Sequence, residues 1–306
     1  MKAKMAMWMV ALALGACVES ARAEAVARAP SVSAKAWAAL DESGRLVGGN
    51  KADEAMPIAS ITKLMMAMAY LDQSPDMSLS ERIDERDIDT VKKSSSRLPV
   101  GSVLARSDLM RLALASSENR AASALARGYR GGTAAMVEAM NRKARELGLR
   151  SARFVDPTGL SPENVASARD VARMAIAARA YKEALSAATQ SDYKQLVAMP
   201  DRAQLVELGY KNTNKMLRDG LLAPLISKTG YIKEAGRCLA WALAKAGGSV
   251  VGIAVLGAPS FAARDADELR LSAWANGEPE PRIASAVAQA KGPSSLRSAK
   301  SRRRRA

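Results

Sequence analysis

The chain has 306 residues and not one histidine. That absence excludes Ser-His-Asp and Cys-His catalysis and removes the commonest protein ligand for zinc, copper and haem. Any hydrolytic chemistry must use another base, and no metal or other cofactor is expected. Cysteine is nearly as scarce, with Cys17 and Cys238 alone. Removal of an N-terminal signal would leave only Cys238, so no intramolecular disulfide supports the mature fold. Cys238 reads as a buried, inert thiol, since nothing nearby offers it a His partner. There is no internal repeat, and no apolar run reaches the ~20 residues that a membrane-spanning helix requires.

What is present begins with Lys2 and Lys4 ahead of an apolar stretch from Met5 to Ala16, followed by Ala21-Arg22-Ala23. This is the layout of a secretory signal peptide cut after Ala23. Leu14-Gly15-Ala16-Cys17 also resembles a lipoprotein cleavage box, which would leave a lipidated Cys17 instead. Either reading makes the mature protein periplasmic or secreted. The formal net charge is +15, but residues 291–306 carry seven positive charges and no acid, and the body over residues 24–290 keeps only +6. The expected organisation is a signal peptide over 1–23, a mobile lead-in over 24–32, one domain over 33–276 and a basic disordered tail over 277–306. Anionic envelope polymers or lipid head groups suit that tail, whereas nucleic acid is not expected as a partner in that location. A solvated tail without a specific partner is the alternative.

Strand patterns sit at both ends of the domain. "AKAWAALD" (34–41) and "RLVGG" (45–49) flank a turn containing Gly44, and "PLISKTGYI" (224–232), "RCLAWALA" (237–244) and "SVVGIAVLGAP" (249–259) are β-rich, with Gly247-Gly248 as a turn. Between them lie helical patterns. Ile61, Leu64, Met65 and Met68 make an amphipathic stripe that starts just after Pro57, a residue suited to a helix start. Residues 109–126 are helical but interrupted near Ser116 and Ser117. Residues 131–149 and 167–181 are structural helices, the second opened by a capping-box-like Ser167 and Asp170. The polar stretch 73–107 has loop chemistry, and residues 261–275 form a closing helix. One sheet assembled from both termini and flanked by a helical lobe follows from this order.

Ser60 and Lys63 lie three residues apart on one helical face, at the first turn, where unpaired amides and the helix dipole favour an alkoxide and disfavour an ammonium. The spacing alone means little, because Ser191 and Lys194 repeat it in a polar context. A lysine of pKa ~10.4 is neutral at pH 7 only about once in 2,500 molecules, so burial or a second cation must lower it. Lys228, in Ser227-Lys228-Thr229-Gly230 at a strand edge, offers that cation. Gly230 there permits a substrate backbone to pair alongside, and Thr229 is placed to bind a substrate carboxylate. Ser117-Glu118-Asn119 supplies a hydroxyl to shuttle a proton and an amide to hold a substrate carbonyl.

The order Ser-x-x-Lys, Ser-x-Asn, Lys-Thr-Gly, with 57 and then 111 residues between first residues, resembles the penicillin-recognising serine enzymes. "ASITKLMMAM", "SSENRAA", "FVDPTGLSPEN" and "SKTGYIKEAGRCL" are most similar to low-molecular-mass penicillin-binding proteins of the D-alanyl-D-alanine carboxypeptidase and endopeptidase family, over about residues 33–260, and within it to the endopeptidase branch. The resemblance implies an α+β, three-layer α/β/α transpeptidase fold like that of β-lactamases and DD-peptidases. It implies Ser60 as acylated nucleophile, Lys63 as its base, and Ser117 and Asn119 as partners. Lys228, Thr229, Gly230 and Tyr231 would meet the substrate, with the N–H groups of Ser60 and Tyr231 as oxyanion hole. Peptidoglycan stem peptides are the implied substrate and β-lactams the implied covalent inhibitors.

Only 76 residues follow Gly230, too few for the extra β-domain that carboxypeptidases of this family often carry. A class A β-lactamase would need a Glu-x-x-x-Asn element, and Glu138 and Asn141 are one residue too close. A non-catalytic protein that binds peptidoglycan or senses β-lactams would use the same residues and stands as the alternative from another class.

Overall fold

The computed structural model describes residues 29–181, 186–202 and 204–281. The signal peptide over 1–23, Cys17, the lead-in from 24 to 28 and the basic tail from 282 onward lie outside the described residues. In chain order the strands and α-helices begin with β1 (Ala36–Asp41), β2 (Leu46–Asn50), β3 (Met56–Pro57), α1 (Thr62–Leu71), β4 (Ser80–Arg82) and β5 (Val103–Ala105). Then follow α2 (Arg106–Ala115), α3 (Asn119–Arg127), α4 (Gly132–Glu146), β6 (Val165–Ala166), α5 (Ala168–Ala178), β7 (Asp192–Val197) and β8 (Val206–Lys211). The chain closes with α6 (Lys215–Arg218), β9 (Ile226–Ile232), β10 (Gly236–Ala244), β11 (Val250–Ala258) and α7 (Phe261–Ala275).

The main sheet has the order β2-β1-β11-β10-β9, and every neighbouring pair is antiparallel. Strands from both ends of the domain therefore meet in one sheet, as the strand patterns imply. Alternation divides the strands between two cores. Ala36, Ala38, Leu40, Cys238, Ala240 and Ala254 join the larger cluster under the helical lobe. Trp37, Ala39, Leu239, Trp241, Ile253 and Val255 join the smaller one under α7. The small residues on the lobe side let α5 lie close: a Cβ on Gly252 would sit 2.5 Å from the Ala172 carbonyl oxygen. On the other face Trp241 Nε1 donates to Ser272 Oγ at 3.1 Å, and Trp37 meets Trp274 edge-on. The result is the expected three-layer α/β/α architecture of the α+β class.

The lead-in is tied where it enters the domain, because the buried Asp267 carboxylate accepts from the N–H groups of Ser33 and Ala34 and from Ser33 Oγ at 2.8–3.1 Å. At the other end Glu280 pairs with Arg270 at 2.9 Å. Among the described residues no helix is long and apolar enough to cross a membrane.

Three details depart from the sequence pattern. The helix after Ser60 is not a surface helix with one apolar stripe, for every residue from Thr62 to Tyr70 is buried. It packs against α2, α3, α4 and α5 together. Leu64, Met65, Met66 and Met68, each worth roughly 1.5–3 kcal/mol on burial, stabilise a segment that also takes an amine into the core. Pro57 does not open that helix; it pairs with Val165 in the two-strand ladder β3-β6, one turn earlier. Ser167 does cap α5 by accepting from Asp170 N, but the Asp170 carboxylate turns to Ser151, so the box is half closed. In addition, β7 and β8 form a hairpin that the polar sequence around Ser191 does not announce.

Candidate active site

Ser60 lies in a turn of 3-10 helix, Ala59–Ile61, that leads into α1. Ala59 holds φ +49 there, in the left-handed region that costs a non-glycine residue roughly 1–3 kcal/mol. Two glycines make the strained turn possible. A Cβ on Gly159, which has φ +83, would fall 2.1 Å from the Ala59 carbonyl oxygen, and a Cβ on Gly230 would fall 2.7 Å from the Ile58 oxygen and 3.1 Å from Ser60 N. The space at Gly230, expected to admit a substrate backbone, is thus needed first for the approach of β9 to the chain's own backbone at Ser60.

One turn into the buried helix, Lys63 is fully shielded from solvent. Its Nζ stands 2.8 Å from Ser60 Oγ, 2.7 Å from Asn119 Oδ1 and 2.6 Å from the Thr158 carbonyl oxygen. As a neutral amine, Lys63 donates its two N–H groups to Asn119 and Thr158, which leaves the nitrogen lone pair for the Ser60 hydroxyl. Burial lowers its pKa from 10.5 to about 7, against the opposing pull of the Asp156, Glu118 and Asp89 carboxylates.

The second cation acts differently from the expectation. Lys228, also buried, sits on β9 with Nζ 2.9 Å from Ser117 Oγ and 2.9 Å from the Thr229 carbonyl oxygen. Burial first, then repulsion from Lys63 and Arg264, holds the Lys228 pKa well below 10.5. The repulsion between the two lysines therefore bears on Lys228, while burial accounts for Lys63.

The break between α2 and α3 delivers the middle motif. Ser117 has φ +59, and the Glu118 carboxylate caps α3 by accepting from Arg120 N. Ser117 and Asn119 consequently face the cleft. The Asn119 amide is divided between helix α1 and the loop that carries Ser94, since Oδ1 accepts from Lys63 and Nδ2 donates to Ser94 Oγ at 2.8 Å. Its part in holding a substrate carbonyl is thereby reduced to the second amide hydrogen.

Edge strand β9 forms one wall of an open cleft of about 600 Å³ that contains Ser60, Ser117, Asn119, Thr229, Gly230 and Tyr231. Lys63 and Lys228 lie beneath it. All eight residues expected from sequence thus converge. At one end of the cleft Thr229 Oγ1 and Thr213 Oγ1 share a hydrogen bond of 2.6 Å, with Arg218 and Arg264 on the same lining. Two residues along β9 from Thr229, the half-exposed Tyr231 ring holds the Arg237 guanidinium 4.5 Å from its centroid, and Phe261 flanks both and also meets the Arg264 guanidinium at 5.6 Å.

Sequence reasoning missed Thr158, Asp156, Ser94, Thr213, Arg218 and Arg264. The Thr158 carbonyl is aimed at Lys63 by a loop wound around one carboxylate. Asp156 accepts from the N–H groups of Thr158, Gly159 and Ser161, from Thr158 Oγ1 and from Asn164 Nδ2, at 2.6–2.9 Å. The Asp-Pro-Thr-Gly stretch does carry a turn signal in its sequence. The cations had none, because nothing local marks which arginine will reach the cleft. Glu138 is exposed beside Arg142, and Asn141 ties α4 to Phe154. Neither serves Ser60.

A family model described as D-alanyl-D-alanine carboxypeptidase matches residues 23–260. The chain is 38% identical over 231 residues to a D-alanyl-D-alanine endopeptidase of Pseudomonas aeruginosa, covering 76% of this chain and 73% of that one. It is 37% identical over 195 residues to the D-alanyl-D-alanine endopeptidase of Escherichia coli K12, covering 64% and 62%. Among solved structures, a variant of the Streptomyces K15 DD-transpeptidase superposes with a TM-score of 0.74 at 26% identity, over 80% of this chain and 98% of that one.

Proposed function

Since the chain belongs to the D-alanyl-D-alanine carboxypeptidase family of serine-type peptidases, we propose that it hydrolyses D-alanyl bonds of peptidoglycan through an acyl-enzyme on Ser60, with cross-links as its main target. The observation that carries this reading is the Lys63 amine, buried, largely able to shed its proton near neutral pH, and 2.8 Å from the Ser60 oxygen.

In the proposed reaction neutral Lys63 takes the Ser60 proton as Oγ attacks the carbonyl of a D-alanine. The oxyanion forms between the N–H groups of Ser60 and Tyr231; loss of one such donor costs about 10²- to 10³-fold in rate. The Thr229 and Thr213 hydroxyls, with Arg218 and Arg264, suit the free carboxylate beside the scissile bond. The leaving amine receives its proton by way of Ser117, which is in contact with Lys228. Water then releases the acyl group. In a cross-linked wall that amine belongs to a neighbouring diaminopimelate, and the reaction opens the link; with a terminal D-alanine the same steps make a carboxypeptidase. The similarity to two endopeptidases supports the first emphasis. A β-lactamase role is disfavoured because the loop facing Ser60 offers the Thr158 carbonyl where a base for deacylating water would be needed.

A periplasmic location, with the signal removed after Ala23 or with lipid on Cys17, is part of the proposal, as is an anionic envelope surface as partner of the basic tail.

Labelling with a fluorescent penicillin tests the chemistry: wild type takes up label, Ser60→Ala takes up none, and Lys63→Ala takes it up far more slowly. Mass analysis of cross-linked muropeptides after digestion tests the substrate. A protein that takes up label yet leaves both muropeptide dimers and terminal D-alanyl-D-alanine intact is a sensor, and the peptidase reading fails.

A further inference from the structure

An ion pair with no part in the chemistry above joins the lining of the cleft to the turn at the end of β9. Lys92 lines the same cleft as Ser60, and its Nζ stands 2.6 Å from Glu234 Oε1, 142 residues away in sequence. Both backbones are fixed. The Asp89 carboxylate accepts from the N–H groups of Val91, Lys92 and Ser94 and from Ser94 Oγ at 2.6–2.9 Å. Glu234 sits in the tight turn that joins β9 to β10, where Gly236 pairs with Ile232 and has φ +68. The ends of the two side chains are less constrained, with relative exposures of 29% and 40%. Among the described residues the Lys92 ammonium has no other hydrogen-bond partner, which leaves two N–H groups free, whereas the Glu234 carboxylate is also met by its own backbone N–H.

The position of the pair relative to the scissile bond follows from β9. Thr229, at the hydroxyl-rich end, suits the carboxylate on the leaving side, so the acyl side of an extended substrate runs the other way, past Gly230 toward Ile232 and Lys233. Both of those residues also line the cleft. At ~3.3 Å per residue, Lys233 lies about 10 Å beyond Gly230. A diaminopimelate residue just before the cleaved D-alanine has a comparable reach: about 4 Å back to its Cα, then about 5 Å along four carbon–carbon bonds to the far carbon. That far carbon bears an ammonium and a carboxylate together.

We propose that Lys92 and Glu234 form a specificity subsite for this zwitterionic amino-acid head, Lys92 taking its carboxylate and Glu234 its ammonium. Without substrate the two side chains neutralise each other. With the head inserted, one ion pair becomes two, and no charge is left uncompensated. A side chain ending in ammonium alone leaves Lys92 without a carboxylate, and an alkyl side chain adds no polar contact. The subsite deepens the proposed function and rests on it, because it names the residue before the cleaved bond.

The test uses the Ser60→Ala protein and three synthetic pentapeptides ending in D-alanyl-D-alanine, identical except for diaminopimelate, lysine or norleucine at the third residue, with binding measured by calorimetry. The diaminopimelate peptide is expected to bind about tenfold more tightly than the norleucine peptide. Adding Lys92→Ala or Glu234→Ala should bring that ratio to within about twofold, with the norleucine affinity unchanged. The exchanged pair Lys92→Glu with Glu234→Lys separates a subsite from a mere strap. A strap is restored by the exchange, whereas a head of fixed chirality finds its two charges reversed and stays weakly bound. Equal binding of all three peptides, or full recovery in the exchanged protein, overturns the proposal. Hydrolysis of the same peptides by the protein with Ser60 intact is read separately. Selective binding without hydrolysis of these peptides or of cross-linked muropeptide dimers would sink the peptidase reading and keep the subsite, and hydrolysis without selectivity would do the reverse.

Discussion

Two serines in this chain are followed three residues later by lysine, and they end in opposite circumstances. Ser60 and Lys63 are joined by a 3-10 turn and a helix that bring Oγ and Nζ to 2.8 Å. Ser191 precedes β7, where Lys194 points to solvent with 72% of its side chain exposed and pairs with Glu207 across the hairpin. On a helix, positions i and i+3 share a face; on a strand they fall on opposite faces. Burial supplies the second difference, for one ammonium has lost its water and the other keeps it. A pair of residue types at a given spacing acquires chemistry only when the backbone turns them together and the core removes their solvent.

The largest expected effect breaks that comparison at the hydroxyl. Ser60→Ala should take up no covalent penicillin label on a denaturing gel, while Ser191→Ala labels as wild type does. Next, Lys63→Ala should lower the acylation rate by about 10²- to 10⁴-fold, the usual contribution of a positioned base. Lys194→Ala should stay within about twofold in the same stopped-flow assay, because its pair is a solvent-exposed one worth ~0–1 kcal/mol.

The contact can also be disturbed from behind. Gly159→Ala forces a Cβ onto the Ala59 carbonyl and a side chain into φ +83. A loss of about 1–3 kcal/mol by denaturant titration is expected, together with slower acylation, because the Thr158 carbonyl moves with the loop. An unchanged midpoint would show that the loop gives way without strain.

Acidity sharpens the comparison further. The pKa of Lys63 is depressed to about 7 and the base is its neutral form. Acylation should therefore rise as pH increases through about 7 and then level off, with the rate at pH 6 about tenfold below the plateau. A profile that is flat between pH 6 and 9 would show a lysine already neutral at pH 6. The smallest effect concerns the other buried nucleophile. Burial pushes the Cys238 thiol up to about 12 and leaves it no solvent contact. A chain that begins after Ala23 should not react with Ellman's reagent at pH 8 when native, and should react with one equivalent when unfolded.

The parts of the molecule that were legible in sequence are those fixed by short-range periodicity. Alternation in 34–41, 237–244 and 249–259 marks the strands, and Gly44 and Gly247-Gly248 mark turns that the structure realises with positive φ. The interruption at Ser116–Glu118 was legible too, because polar residues break an apolar helix there. The full burial of α1 was not. A single stripe at Ile61, Leu64, Met65 and Met68 already explains a helix with one apolar face, and Lys63 reads as its charged side. Nor could composition announce the β7-β8 hairpin, whose strands alternate between exposed residues and half-buried or buried ones.

By itself the sequence determined which groups are available: a hydroxyl and an amine in place of any imidazole, a second amine before Thr-Gly, and strands enough for one sheet. Tertiary structure alone decided that Lys63 would be dry, that a backbone carbonyl from Thr158 and an amide from Asn119 would hold its nitrogen, and that Lys92 would meet Glu234. The reason is range. Helix and strand register are set by neighbours a few residues apart, whereas desolvation and the approach of one loop to another depend on segments 56 to 142 residues apart, whose meeting is written only in the packing of the whole core.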